Sequence, residues 1–115
     1  MLRTKIRRYL KHGTLRQLSV FEAVARLGSF TRAAEELHMA QPTVSVQIRK
    51  LSESMGLPLF EHAGRKIRLT AAGAALEDAC HELFATLARL ENRAGELRDQ
   101  RAAHSAGRET AGGRL

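Results

Sequence analysis

Residues 40–51 read "AQPTVSVQIRKL". In an α-helix Val44, Ile48 and Leu51 fall on one side at i, i+4 and i+7, an ordinary core stripe. The opposite side carries Pro42, Val46 and Arg49, flanked by Thr43, Ser45 and Lys50. That face is short, nearly free of acids, and has a bare valine in its middle. Periodicity alone leaves two readings open: a solvated face with a stray valine, or a surface shaped for a partner.

The neighbouring segments supply a frame. Upstream, "LRQLSVFEAVARL" at 15–27 predicts a helix with Leu18, Phe21, Val24 and Ala25 inward, ended by Gly28. Thr14 stands where a cap is expected. In "SFTRAAEELHMA", Thr31 precedes a short helix whose inner residues are Ala34 and Leu37. The quoted helix follows almost at once, with Pro42 suited to its first turn. Its core stripe continues to Met55 and stops at Gly56. Downstream, "LPLFEHAGRKIRLTAAG" holds two short extended pieces, Leu59–Glu61 and Ile67–Leu69, around a turn at Gly64. This predicts a β-hairpin with Arg65 and Lys66 at or near its tip. Three helices and a basic hairpin give the expected fold: mainly α, a winged helix-turn-helix at residues 14–73.

From Ala71 to about Gln100 the pattern predicts one long helix. Leu76, Cys80, Leu83, Leu87, Leu90, Ala94 and Leu97 step by 4, 3, 4, 3, 4, 3. Such a heptad seam is narrower than a globular helix face needs. It either packs onto its own domain or pairs two subunits. Pairing is the reading adopted, because a helix of about 30 residues overhangs a small domain. Residues 74–101 are therefore expected to be a dimerisation helix, and the small, polar, Gly-rich residues 102–115 a flexible linker.

The 115 residues allow one domain with an appended helix, and the formal charge of +7 favours an anionic partner. Arg3, Lys5, Arg7, Arg8 and Lys11 lie in the first twelve residues with no acid among them. The basic extension, residues 1–13, is either a solvated tail, or a DNA-backbone arm or extra helix. A single cysteine excludes an intramolecular disulfide framework and fits a reducing compartment. No apolar stretch follows the basic start and no run reaches membrane-spanning length, so a cytoplasmic protein without a membrane partner is expected. The five histidines are scattered. His81-Glu82 opens like a zinc-protease helix motif, but Ala85 stands at the second histidine position. No glycine loop for phosphate is present, and Cys80 sits in an apolar stripe where thiols are inert. The chain is expected to have no catalytic constellation, no metal and no cofactor.

"RAAEELHMAQPTVSVQIRKL", "GLPLF" and "RLTAAG" together resemble the DNA-binding half of LysR-type transcriptional regulators. The resemblance runs from about Thr14 to Gln100. It implies that the helix at Gln41–Lys50 enters the major groove of double-stranded DNA, that the hairpin is a wing, and that the long helix pairs two subunits. Contacts to DNA are then expected from Thr31, Arg32, Gln41, Pro42, Thr43, Ser45, Val46, Gln47, Arg49, Lys50, Arg65 and Lys66. Arg49 and Gln47 can donate to base or phosphate acceptors, Thr43 and Ser45 can serve either, and Val46 can rest against a thymine methyl. Effector sensing in this family belongs to a separate C-terminal domain, whose first strand the closing "GGRL" resembles; a tetramer is implied for the full-length protein. Three departures stand out: Ser52 where the family has Glu, His62 where it has Arg, and the basic extension. The wing and "RAAEELH" look most like the branch regulating Calvin-cycle carbon-fixation operons. Two rival functions share parts of this pattern: a nucleoid-type architectural protein, and an interaction module working through its coiled coil.

Overall fold

The computed structural model describes residues 13–112, with side chains as far as Ser105. The expectations for residues 1–12 and for the final residues of "GGRL" lie outside these. The described elements are α1 (Thr14–Leu27), α2 (Phe30–Leu37), α3 (Gln41–Met55), β1 (Phe60–Ala63), β2 (Lys66–Leu69) and α4 (Ala71–Gly112). The chain divides into two compact units, with the boundary after Cys80.

In the first unit α1 packs against both α2 and α3. Facing two partners widens its buried side to Gln17, Val20, Phe21, Ala23 and Val24. The expected stripe was too narrow: Leu18 and Ala25 are only half-buried. On α2 the buried residues are Ala33 and Ala34, small side chains that let the backbones approach, while Leu37 is half-buried. Val44, Ile48 and Leu51 are buried on α3 as expected, and Met55 is half-buried.

Helix ends follow local chemistry, with two corrections. Gly13, not Thr14, occupies the cap position of α1, and Thr14 begins the helix. Ser29 caps α2, its hydroxyl oxygen accepting from the Arg32 backbone N–H at 3.1 Å, so Thr31 sits inside the first turn. An earlier cap lets α2 start with Phe30 and place Thr31 toward α3. His38 closes α2 in the left-handed region at φ 55°, which turns the chain into α3 within three residues.

The hairpin is antiparallel, pairing Phe60 with Leu69, Glu61 with Arg68, His62 with Ile67 and Ala63 with Lys66. Its strands run closer to the turn than the apolar pieces suggested. The cross-strand Arg68–Glu61 ion pair, 2.8 Å, carries the ladder through polar positions. Gly64, at φ 67°, supplies the conformation that the two-residue turn requires.

The base of the hairpin is fixed from two sides. The Phe60 ring lies 5.3 Å from Phe21 and 5.8 Å from Phe30, joining β1 to α1 and α2. Thr70 donates its hydroxyl to the Pro58 carbonyl at 2.6 Å and accepts from the Gly73 N–H at 3.0 Å. Its own N–H donates to the Leu59 carbonyl. A β-carbon at Gly73 would lie 2.1 Å from that carbonyl oxygen, so "GLPLF" and "RLTAAG" must meet through a glycine.

The long helix was expected to end near Gln100, with a flexible segment from 102 to 115. Instead α4 continues to Gly112. Residues 101–111 contain no proline, and alanines recur there. Extending an existing helix needs no new nucleus, so modest propensity suffices. Among the described residues no helix is long and apolar enough to cross a membrane.

Candidate nucleic-acid interface

The fold exposes one side of α3. With Val44, Ile48 and Leu51 buried, Gln41, Pro42, Thr43, Ser45, Arg49 and Lys50 are exposed. Val46 and Gln47 are half-buried. The valine is therefore less bare than its position suggested, because Pro42, Arg49 and Lys50 stand one turn away on either side. This outward face carries hydroxyls, amides and cations around a small apolar centre.

The start of α2 is joined to the start of α3. Thr31 donates its hydroxyl to Gln41 Oε1 at 3.1 Å, and Arg32 is exposed beside it. At the other end of α3, Arg49 Nε lies 3.7 Å from Glu53 Oε1, both side chains exposed. That acid was not singled out from the sequence, although the i, i+4 spacing carries the signal. At the hairpin, Arg65 sits in the turn and Lys66 opens β2, both exposed. Arg68 shares a strand face with Lys66 because side chains alternate along a strand. It was overlooked as a third cation, and its charge is held by Glu61.

A separate ion-pair cluster braces the scaffold. Arg26 of α1 bonds Glu22 on its own helix and reaches across to Glu36 on α2. The guanidinium holds the Glu36 carboxyl below its ordinary range.

The heptad positions do not behave alike. Leu76 is half-buried, and Cys80 is 1% exposed within the single chain. Cys80 was expected to be buried between subunits; its own domain already buries it. Burial, with Glu22 and Glu77 nearby, pushes its thiol up to about 11. Leu83 and Ala94 are half-buried, whereas Leu87, Leu90 and Leu97 are 40%, 62% and 48% exposed. Among the described residues no cluster of three His, Cys, Asp or Glu side chains could hold a metal.

Three packed helices, the third with a free outward face, a hairpin anchored at its base and a long following helix define a winged helix-turn-helix protein. Residues 15–74 match the family described as bacterial regulatory helix-turn-helix protein, lysR family, and the chain belongs to that family. It is 56% identical over 75 residues to the RuBisCO operon transcriptional regulator of Acidithiobacillus ferrooxidans, covering 65% of this chain and 24% of that protein. To the HTH-type transcriptional activator CmpR of Synechocystis sp. it is 49% identical over 88 residues, 76% of this chain and 29% of that one. The chain thus spans about a quarter of the length of these curated relatives. The crystal structure of the BenM DNA-binding domain with catB site 1 DNA superposes with a TM-score of 0.68 at 33% identity, covering 71% of this chain and 91% of that one.

Proposed function

We propose that this chain is the sequence-specific, double-stranded-DNA-binding part of a LysR-type transcriptional regulator, acting as a dimer on a dyad operator. The observation that carries the reading is the outward face of α3: its core stripe is buried, which leaves a face of hydroxyls, amides and cations turned away from the core and able to meet base edges. Gln41, Pro42, Thr43, Ser45, Val46, Gln47, Arg49 and Lys50 form the reading surface, with Thr31 and Arg32 at its upstream edge. Arg65 and Lys66 meet phosphates or the minor groove beside the site. The role is binding, with no cofactor and no catalysis, in the cytoplasm.

Dimerisation runs through α4. Leu87, Leu90 and Leu97 expose large apolar side chains, and a second copy of the helix would cover them. With Cys80 already inside its own domain, the pairing seam begins at Leu83. Residues 14–73 and the first turns of α4 form the domain, and the rest of α4 leads toward an effector-binding domain in the full-length, tetrameric protein. The name of the Acidithiobacillus ferrooxidans relative carries a further reading, that the target genes include a RuBisCO operon.

Competition binding at fixed, moderate salt tests the function. The chain is expected to prefer duplexes that it selects from a random pool over scrambled ones by on the order of 10³. A ratio near one would favour an architectural, sequence-indifferent protein instead.

A further inference from the structure

The contact between Thr31 and Gln41 joins two helix starts and has a direction. Oγ1 and Oε1 are 3.1 Å apart. Two oxygens at that separation need a hydrogen between them, and the amide oxygen has none, so the hydroxyl donates. The Gln41 carbonyl is therefore engaged by a donor of the protein itself, at the surface. Its NH2 group is left as the outward end of the side chain, and Gln41 itself is exposed.

We propose that Thr31 is a positioning residue that fixes the polarity of the Gln41 amide, turning an ambivalent side chain into a dedicated donor toward DNA. This rests on the DNA-binding reading above. A free glutamine presents donor or acceptor with a half-turn of its amide. Held by Thr31 through its oxygen, it turns its NH2 end to acceptors: phosphate oxygens, or the N7 and O6 edge of a purine. Both ends of the bond sit on constrained backbone. Ser29 caps the turn that holds Thr31, with the Arg32 N–H donating to its hydroxyl at 3.1 Å. The Thr43 and Val44 N–H groups return to the Ala40 carbonyl at 3.0 and 3.2 Å and fix the turn that holds Gln41.

The test is a double-mutant cycle on the full 115-residue chain, using one duplex selected from a random pool and one scrambled duplex. Thr31→Val keeps the side-chain shape and removes the hydroxyl. It is expected to weaken the selected duplex about fivefold, the size of one hydrogen bond. Thr31→Ser should restore binding. In a Gln41→Ala background Thr31→Val should change affinity less than about twofold, because the group it positions is gone. The salt slope should not move, since neither residue is charged. In the free protein, Thr31→Val should shift the NMR signals of the Gln41 side-chain NH2 while the melting temperature stays. A loss confined to the selected duplex would assign the acceptor to a base, and an equal loss on both duplexes to a phosphate. Each supports the proposal, provided that the losses are coupled. Additive losses from the two substitutions would mean that Thr31 acts independently of Gln41 and would overturn it, as would unchanged binding in Thr31→Val. A wild-type chain with no preference for the selected duplex would instead defeat the underlying function.

Discussion

Two stretches of this chain both carry apolar side chains and end in opposite states. Before residue 81, Phe21, Val24, Val44, Leu51, Leu59 and Cys80 are almost wholly withdrawn from water. Beyond it, Leu87, Leu90 and Leu97 on α4 keep between 40% and 62% of their surface exposed. The difference is what covers the side chains: α1 packs against α2 and α3, whereas the leucines late on α4 stay exposed in the single chain. The first unit thus has a closed core, whereas the proposed pairing would complete the second.

The sharpest way to break this contrast is to cut into the closed side. Phe21→Ala removes the ring that contacts Phe60, and a loss of about 4 kcal/mol is expected in denaturant unfolding. A loss below about 1 kcal/mol would mean that the first unit is not the independently packed body described. Gly73→Ala comes next. Its β-carbon would meet a main-chain oxygen that no rotamer change can move, so about 3 kcal/mol should be lost and the hairpin base loosened. Hydrogen exchange at the Thr70 amide checks the second half of that expectation.

On the open side the same kind of truncation should behave differently. Leu90→Ala is expected to leave the first unit's melting transition in place and to raise the dimer dissociation constant about tenfold to a hundredfold by sedimentation. If it instead melts the first unit, the seam packs onto its own domain and the comparison fails. Replacing Arg65 and Lys66 with alanine should touch neither stability nor dimerisation. It should weaken all duplexes alike and lower the salt slope by roughly 1 for each phosphate that is no longer neutralised.

The smallest effect concerns Cys80, which sits at the border. Its folded-state pKa is raised from 9.0 to about 11. The stability linked to the neutral thiol is thus complete below about pH 9 and is lost as pH rises toward 11. Cys80→Ala should flatten that part of the stability profile. Thiol reagents near neutral pH should modify the native chain slowly even at concentrations too low for dimers, since the chain buries Cys80 by itself. Fast modification of the monomer would return Cys80 to the subunit seam.

Much of this molecule follows from local sequence. The buried stripe of α3, the glycines that end α1 and α3, and the hairpin around Gly64 are consequences of periodicity and turn chemistry, which act within a few residues. The outward face of α3 is the complement of its buried one, so its members could be read from the same pattern. Quantities that depend on two segments meeting could not. The breadth of α1's buried side came from its contact with both α2 and α3. The need for glycine at position 73 came from a carbonyl fourteen residues earlier, at Leu59. The direction of the Gln41 amide came from a hydroxyl ten residues away, and the burial of Cys80 from the domain beneath α4. Spacing along the chain specifies which side chains share a face. Only packing specifies what each face meets, because that is set by distances between segments that no local pattern encodes.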